Sequence, residues 1–402
     1  MSTKTTYKQT EVGLIPEDWE VKKFEDFADK SIKWAITGGP FGSDLKSSDY
    51  THAGVRIIQL QNIGDGKFLD DYKIYTSVEK ANQLLSCNIY PGEIILSKMG
   101  DPVARACFIP EIEERFVMAS DGIRLVVNEK NYNKKFVHDY INSIYFRKSA
   151  IEVSTGSTRQ RIGLPILKNI KILTPPLPEQ KKIADCLSTW DSAIEKQSQL
   201  INALTQRKKA LMQQLLTGKK RLPGFEGEWK EVKLGSLCKV TTGKLDANAM
   251  VENGIYRFYT CAKDYYLINE YKFDTEALLI SGNGANVGYI HYYKGKFNAY
   301  QRTYVLDKFK EDIFFIKYFL DYFLSQRISN EKKEGNTPYI VLSTLTEMSI
   351  KLPSLSEQTA IAEILATADS ELQLQKEKLA QLQIQKKGLM QVLLTGKKRL
   401  IN

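Results

Sequence analysis

Apolar residues recur at alternating intervals of four and three over residues 178–222, with polar residues between them. A second stretch, 356–400, repeats the pattern. Such spacing, kept over about five heptads, predicts a long helix with one apolar seam. Because the seam drifts around a straight helix, we expect it to supercoil with a partner. The apolar seam positions are Ile183, Leu187, Ile194, Ile201, Leu204, Leu211, Leu215, Ile361, Leu365, Leu372, Leu379, Leu382, Leu389 and Leu393.

The two stretches are copies of one another, offset by 178 residues without a gap, and 23 of 44 aligned positions are identical. Polar seam residues recur as well, Gln197 with Gln375 and Lys208 with Lys386, and such residues fix the register of a coiled coil. An isolated heptad run would favour a dimerisation zipper. Two copies in one chain can instead pair with each other, antiparallel, and act as a spacer.

Both helices carry end signals. Pro178 and Ser356 suit a first turn or an N-cap. Gly218 and Gly396, each followed by Lys-Lys-Arg, suit the left-handed position that ends a helix.

Each helical stretch follows a globular segment. In the first segment, runs rich in β-branched residues predict strands and an apolar stripe predicts a helix over 136–151. The strand runs are 55–63, 93–98, 105–109 and 122–127. The second segment repeats this plan, with a helix predicted over 313–328. The sequence therefore predicts an α+β fold: two similar strand-rich globular domains and two long antiparallel coiled-coil helices in a pseudo-twofold internal repeat. The predicted boundaries are 1–177 for the first globular domain, 178–222 for the first helix, 223–355 for the second globular domain and 356–402 for the second helix.

The charge balance favours a polyanionic partner. The chain has 57 Lys and Arg against 47 Asp and Glu, a formal net charge of +10. A basic protein gains affinity for nucleic acid by releasing its counterions. The excess is modest, so the charge alone does not establish such a partner.

Cysteine and histidine usage argues against a disulfide framework or a metal centre. The five cysteines form no CxxC pair, and the three histidines, His52, His138 and His291, are far apart in the sequence. No run approaches 18 apolar residues, and the first residues contain no apolar signal segment. We therefore expect a cytoplasmic protein with reduced cysteines and no membrane partner.

No catalytic signature is complete. The glycine run 282–288 lacks the spacing and the acidic residue of a dinucleotide-binding loop, and a glycine turn between strands explains it better. The Thr-Gly-Lys-Lys tetrapeptides at 217–220 and 395–398 lack the other residues of a phosphate loop and are interpreted as helix ends. No nucleophile elbow, zinc-protease motif or Asn/Asp-Pro-Pro-aromatic tetrapeptide occurs. We expect no catalytic, cofactor-binding or metal-binding residues in this chain.

The polar residues at predicted strand ends, where the two halves differ, suit contact with duplex DNA. Arg and Lys can bind guanine edges, Asn and Gln can bind adenine edges, and all four can hold phosphates. In the first globular segment the candidates are Ser43, Lys46, Gln59, Gln61, Asn62, Lys98, Arg105, Ser120, Arg124, Arg159 and Arg161. In the second they are Lys244, Arg257, Lys263, Asn283, Asn286, Tyr300, Gln301, Arg302, Asn336 and Tyr339. Each one could also be an ordinary solvated side chain.

Three motifs identify a family resemblance. The Pro-Leu-Pro-Glu-Gln motif ending at Gln180, the Leu-Leu-Thr-Gly-Lys-Lys-Arg-Leu motif ending at Leu222 and the Ile-Pro-Glu-Asp-Trp opening at Trp19 resemble the specificity subunits of type I restriction-modification enzymes. The likeness covers essentially the full length, although the second helix opens with Ser-Leu-Ser-Glu-Gln, ending at Gln358.

The resemblance implies a non-catalytic subunit with two target-recognition domains, each reading one half of a split DNA target. It also implies that the antiparallel helices set the spacing between the halves and dock two modification (methyltransferase) subunits. Those subunits would bind S-adenosylmethionine, and restriction subunits using ATP would then join, so no cofactor is expected in this chain.

Two other functions stay open on the residues alone. One is a stand-alone DNA methyltransferase or nuclease with an unrecognised active site. The other is a coiled-coil adaptor whose basic charge is incidental. The two long helices and the divergent residues at the strand ends favour the DNA-specificity subunit over both alternatives.

Overall fold

The computed structural model describes residues 6–156, 159–331 and 339–400. Two compact units divide the chain: unit 1 is Met1–Lys196 with Leu379–Asn402, and unit 2 is Gln197–Lys378. This division differs from the four-part division predicted from the sequence, because in each unit the adjoining parts of both long helices share a core with the globular segment.

The secondary structure alternates short strands with helices, and two of the helices are long. The helices are α1 (Val78–Gln83), α2 (Lys134–Ile141), α3 (Ile144–Glu152), α4 (Leu164–Lys168), α5 (Leu177–Leu215), α6 (Leu234–Leu237), α7 (Ile313–Glu331), α8 (Leu342–Thr346) and α9 (Leu355–Leu393). The strands of unit 1 are β1 (Tyr7–Thr10), β2 (Gly13–Pro16), β3 (Glu20–Lys23), β4 (Ile36–Gly38), β5 (Tyr50–Thr51), β6 (Val55–Ile58), β7 (Ile74–Thr76), β8 (Asn88–Ile89), β9 (Ile94–Ser97), β10 (Ala106–Phe108), β11 (Phe116–Met118), β12 (Gly122–Leu125) and β13 (Lys171–Thr174). Those of unit 2 are β14 (Lys230–Lys233), β15 (Lys239–Thr242), β16 (Tyr256–Tyr259), β17 (Tyr266–Ile268), β18 (Phe273–Ser281), β19 (Ile290–Ala299), β20 (Thr303–Asp307) and β21 (Ser349–Leu352).

The two long helices α5 and α9 confirm the prediction from the heptads. Each is 39 residues long. Gly218 and Gly396 follow them and adopt the same left-handed conformation, with φ of +70°. In the part of the chain that the structure describes, no helix has the length and apolar character needed to cross a membrane.

The long helices pair antiparallel within each unit. In unit 1, Ile183 near the start of α5 shares a core with Leu393 at the end of α9. In unit 2, Leu215 at the end of α5 shares a core with Ile361 near the start of α9. All of the predicted apolar seam positions are buried or partly buried. The fold class predicted from the sequence is thus confirmed.

Ion pairs accompany the seam at equivalent places. In unit 2, the Lys208 ammonium binds the carboxylate of Asp369. In unit 1, Lys386 Nζ lies 2.5 Å from Asp191 Oδ1. The four residues are related in pairs by the 178-residue offset, so the repeat extends from sequence to side-chain contact.

A second repeated contact joins the end of one long helix to the start of the other. In unit 1, the buried Glu179 accepts hydrogen bonds of 2.7 Å from both Nε and Nη2 of Arg399, and one of 3.0 Å from Trp19 Nε1. In unit 2, the buried Glu357 accepts the equivalent pair from Arg221, both at 2.7 Å. We call these two contacts the helix-end ion pairs.

Unit 1 has two main sheets. The four-stranded sheet has the order β10-β9-β12-β4, and the five-stranded sheet has the order β5-β7-β6-β11-β8. Strand β11 runs parallel to β6, and β10 runs antiparallel to β9. Two further two-stranded sheets are β1-β2 and β13-β3.

Unit 2 merges the corresponding strands into one six-stranded sheet of order β15-β20-β18-β19-β16-β17, with β14-β21 beside it. The long β19 runs antiparallel to β18 and parallel to β16. It therefore makes the pairings that β10 and β11 make separately in unit 1. By this correspondence, β9, β12 and β4 of unit 1 match β18, β20 and β15 of unit 2.

The helix predicted over 136–151 is interrupted, which corrects the sequence interpretation. It forms α2 and α3, whereas the helix predicted over 313–328 is the continuous α7. Ser143 Oγ caps α3 by accepting a hydrogen bond from the backbone N of Phe146. Asn142 Nδ2 donates to the carbonyl of Ala106, 3.0 Å away. A cap and a tertiary hydrogen bond at adjacent residues therefore end one helix and begin the next.

Candidate nucleic-acid interface

A cleft of about 850 Å³ in unit 1 is lined by the glycine-rich loop 37–44 and by side chains at the ends of neighbouring strands. Four residues predicted to contact DNA meet there: Ser43, Lys98, Ser120 and Arg161. We call these residues, together with loop 37–44, the unit 1 surface.

Backbone hydrogen bonds fix the unit 1 surface. Lys98 directly follows β9, and its N–H donates to the carbonyl of Asp121, just before β12, at 2.6 Å. The N–H of Ile162 donates to the carbonyl of Lys98 at 2.9 Å, which brings Arg161 alongside. Arg161 Nη2 lies 3.3 Å from Asp121 Oδ1. The backbone thus holds Lys98 and Arg161 at one sheet edge, where the Arg161 side chain is 49% exposed and forms one ion pair, with Asp121.

Residues predicted in the second half meet at the matching edge of unit 2. The N–H of Gly282, just after β18, donates to the carbonyl of Arg302, just before β20, at 2.8 Å. Asn283 forms a bridge with Tyr339, and Asn286 lies in the turn between β18 and β19. We call the following residues the unit 2 surface: Asn283, Asn286, Tyr300, Gln301, Arg302 and Tyr339.

One glycine in each unit marks the equivalence of the two sheet edges. A Cβ on Gly39 would lie 1.8 Å from the carbonyl oxygen of Ala119, and a Cβ on Gly243 would lie 1.8 Å from that of Ala299. No side chain fits at either position. The backbones of the two surfaces therefore correspond, while their side chains differ.

Arg257 of unit 2 is held between aromatic rings. Its guanidinium carbon lies 4.3 Å from the ring centroid of Tyr265 and 4.5 Å from that of Tyr293. Its Nη1 donates to the Tyr259 hydroxyl at 3.4 Å, and this bond raises the pKa of Arg257. The two rings and the hydrogen bond restrict the position of the guanidinium, which favours recognition of a base or phosphate.

The structure contradicts two predicted DNA contacts. Arg124 is 5% exposed, and its Nε and Nη2 donate to both oxygens of Glu93 at 2.7 and 2.6 Å. Asn62 is fully buried, and its Nδ2 donates to the carbonyls of Leu69 and Tyr72, both at 2.9 Å. Both side chains hold the fold of unit 1 together and present no polar edge to solvent.

The remaining predicted residues belong to neither surface. Gln59 donates to the Tyr50 hydroxyl at 3.2 Å. Arg105 is half-buried, and its Nε has no hydrogen-bond partner among the described residues. The exposed ones are Lys46, Gln61, Arg159, Lys244 and Lys263. Asn336 lies outside the described residues.

Three aromatic side chains near the predicted contacts were not predicted from the sequence: Phe41 on the unit 1 surface, and Tyr265 and Tyr293 around Arg257. The predicted contacts were the polar residues at predicted strand ends, and these three rings were not among them. The signal for Phe41 was its position between glycines and a proline, in a loop too polar to lie in the core.

The described residues contain no group of three or more His, Cys, Asp or Glu side chains arranged to hold a metal ion. All five cysteines are free. Burial raises the pKa of the Cys107 and Cys238 thiols to about 12, so neither is a reactive thiolate near neutral pH.

Comparison with known proteins gives one consistent family. The family model for the type I restriction modification DNA specificity domain matches residues 16–206 and 226–383. The putative type I restriction enzyme MjaX specificity subunit of Methanocaldococcus jannaschii is 26% identical over 98% of this chain and 96% of its own length. The type I restriction enzyme EcoDI specificity subunit of Escherichia coli is 45% identical over 171 residues, 42% of this chain. The aligned region spans only 37% of the EcoDI subunit and 50% of the MjaVIII specificity subunit of M. jannaschii.

Solved structures share the fold. The S subunit of a type I restriction-modification system from M. genitalium superposes with a TM-score of 0.58 at 19% identity, covering 93% of this chain and 96% of that one. A chain from a structure of complex assembly in the type I R-M system superposes with a TM-score of 0.61 at 16% identity, covering 96% and 99%.

Proposed function

Because this chain belongs to the family of type I restriction modification DNA specificity domains, we propose that it selects the DNA sequence on which a type I restriction-modification complex acts. Each unit contacts one half of a two-part target through the surface defined above. The observation that carries this proposal is the pair of corresponding sheet edges with different side chains. Matched backbones can approach DNA in the same way, while unlike side chains read unlike bases.

The chemistry of each surface fits base recognition. Lys98 and Arg161 offer donors to guanine O6 and N7, and Asn283 can pair with an adenine edge. Arg302 is exposed beside Asn283 and suits a guanine edge or a phosphate. The two half-sites should accordingly differ in sequence.

The paired helices α5 and α9 set the distance between half-sites and dock two modification subunits. Apolar side chains exposed on the helices support the docking role: Leu374 and Ile384 are each 63% exposed, and Leu200 is 42% exposed. Exposed aliphatic side chains on a helix surface are suited to burial against another protein.

The chain acts as a recognition subunit and leaves the chemistry to its partners. Modification subunits would bind S-adenosylmethionine and methylate adenine, and restriction subunits would use ATP. Incubating the purified chain with DNA and labelled S-adenosylmethionine tests this division. Methyl transfer without partner subunits would favour a stand-alone methyltransferase instead.

The decisive experiment maps methylated adenines in DNA from cells that express the chain with its modification subunits. We expect a two-part motif. Lys98→Ala should relax one half and Arg302→Ala the other, each by about 1–3 kcal/mol if the side chain contacts a base. Lys148→Ala, which removes a 76% exposed side chain of α3 that belongs to neither surface, is the control and should leave the motif intact. Equal loss on all sequences would mark a phosphate contact. Absence of any motif would overturn the proposal in favour of an adaptor.

A further inference from the structure

Phe41 is the most exposed large hydrophobic side chain among the described residues, at 84%. A phenylalanine in water forgoes the stabilisation that it would gain by burial. The fold of unit 1 therefore leaves the ring largely in solvent, where it lines the cleft of the unit 1 surface.

The loop that carries Phe41 is longer than its counterpart in unit 2. In unit 1 the segment between Gly39 and Leu45 holds five residues, Pro-Phe-Gly-Ser-Asp. In unit 2 the segment between Gly243 and Leu245 holds only Lys244. The exposed aromatic ring therefore lies in an extension that one surface has and the other lacks.

The base of this extension is anchored at both ends. The N–H of Gly39 donates to the carbonyl of Gly122 at 2.8 Å. Leu45 is buried in a cluster with Ile57 and Val117. The N–H of Asp44 donates to the carbonyl of Phe41 at 2.9 Å, which closes a turn at the tip. The tip thus extends from a fixed base and does not fold back into the core.

Cationic side chains surround the tip. Lys80, Lys98 and Arg161 line the same cleft, and Asp44 is the one carboxylate among the residues that line it. Lys80 also pairs with Asp49 and Arg161 with Asp121, so Lys98 is the lining cation for which no ion pair is found among the described residues. A flat apolar ring among cations matches a nucleic acid, which offers phosphates outside and stacked bases inside.

We propose that Phe41 is a wedge that inserts between two adjacent base pairs of the half-site contacted by unit 1 and partly unstacks them. This inference rests on the proposed function and adds a specificity determinant to it. Flexible pyrimidine–purine steps unstack most easily, so the wedge would favour such a step without any hydrogen bond to a base. Unit 2, which has no such extension, reads its half-site without a wedge.

The test uses the full chain in complex with its modification subunits and duplex DNA carrying the mapped motif. The fluorescent base 2-aminopurine is placed at successive positions of each half-site, except the methylated adenine, whose own flipping would raise the signal. With the wild-type chain we expect fluorescence to rise at one step of one half-site. Phe41→Ala should abolish that rise and weaken binding by roughly 5- to 150-fold, the range for removing an aromatic group that stacks on a base. Phe41→Trp should keep the rise. Ile255→Ala, which removes a 74% exposed side chain of unit 2, should change neither reading.

Other outcomes overturn the wedge. One is that the Phe41→Ala complex binds the mapped motif with the same selectivity as the wild-type complex. Another is a thymine-to-uracil substitution that reproduces the whole effect of Phe41→Ala without a change in stacking, which would assign the ring to a thymine methyl group. Loss of a modification subunit from the Phe41→Ala complex, with stacking unchanged, would assign the ring to a protein interface. If the wild-type complex selects no sequence, the proposed function itself fails, and that result is distinct from the others.

Discussion

Arg124 and Arg161 belong to the same unit and were predicted to have the same role, yet their surroundings separate them. Arg124 lies within β12, where every residue is buried, and it is bound by both oxygens of Glu93. Arg161 lies beyond the strand ends, where its side chain is half exposed. At the scale of the residue, position relative to the end of a strand decides whether an arginine supports the sheet or faces a ligand.

We expect Arg124→Ala to lower the free energy of unfolding by roughly 3 kcal/mol, because the Glu93 carboxylate, whose side chain is only 14% exposed, would lose its partner. Urea unfolding followed by circular dichroism measures the change. Arg161→Ala removes an exposed pair and should change stability by less than about 1 kcal/mol, which makes it the matched control. Equal, small effects of the two variants would refute a structural role for Arg124.

The sequence located the candidate surfaces but not every member. Strand ends follow from turn residues and apolar runs, so Lys98, Arg161 and Arg302 could be predicted. Arg124 could not be excluded, because both faces of β12 are covered and alternation along the strand carries no signal. Phe41 was missed because an exposed aromatic ring contradicts the usual tendency of aromatic residues to be buried.

At the scale of the element, the helix-end ion pairs bind the start of each long helix to the end of the other. They are equivalent by the internal repeat but not equal. The Arg399 side chain is 8% exposed and also binds Asp18 at 2.7 Å, whereas the Arg221 side chain is 30% exposed. Because the pair in unit 1 is less accessible to water, breaking it should destabilise the fold more than breaking the pair in unit 2.

Arg399→Ala should lower the free energy of unfolding by about 3 kcal/mol, since it leaves the buried Glu179 with only its neutral donors. Arg221→Ala should cause a smaller loss because the Arg221 side chain is 30% exposed, so water can reach the Glu357 carboxylate once the guanidinium is gone. Chemical denaturation of both variants measures the difference. The reverse order of the two losses would contradict this account. In the double variant Arg399→Ala with Glu179→Gln, part of the stability should return.

The seam ion pair at Asp191 makes a prediction about pH. Burial by itself raises the pKa of Asp191, but hydrogen bonds from Lys135 and Lys386 outweigh burial, so the pKa lies below its usual value. A carboxylate with a depressed pKa stabilises the folded state above its unfolded pKa and loses that contribution as the pH falls through the folded one. The gap in unfolding free energy between wild type and Asp191→Asn should therefore be largest near neutral pH and narrow below about pH 4. Ser192→Ala, which changes the exposed side chain of the next residue in α5, is the control. A gap that does not change between pH 7 and pH 3 would exclude a charge contribution.

Long elements were predicted better than short ones. The heptads of α5 and α9 are a local, periodic signal, repeated in sequence, and both helices begin within one residue of the predicted starts. They end at the last apolar seam residues, Leu215 and Leu393, before the predicted bounds at 222 and 402, because Gly218 and Gly396 adopt the left-handed conformation just beyond. The break between α2 and α3 depends on the hydrogen bond from Asn142 to Ala106, a residue that is distant in the sequence. Likewise, the local sequence does not predict that unit 1 has two strands, β10 and β11, where unit 2 has the single strand β19. That difference depends on how the sheets assemble.

At the scale of the whole molecule, each long helix contributes one part to unit 1 and the other part to unit 2. Gln197 Nε2 donates to Oε1 of Gln375 at 2.8 Å and to its backbone carbonyl at 3.1 Å. These two residues are equivalent by the internal repeat, so the contact marks the point at which the two copies of the helix meet in register.

Inserting one heptad after Gln197 and one before Gln375 should lengthen the DNA spacer. Seven residues add about 10 Å to each helix, the length of about three base pairs. Three base pairs also turn the second half-site by roughly 100° around the duplex, whereas a heptad returns the seam to within ~20° of its face. We therefore expect the spacer to grow by between one and three base pairs, with both half-sites unchanged, when methylated adenines are mapped. Inserting the heptad in α5 alone puts the seam out of register and should abolish methylation. An unchanged spacer with the double insertion would show that something other than the helix pair sets the distance.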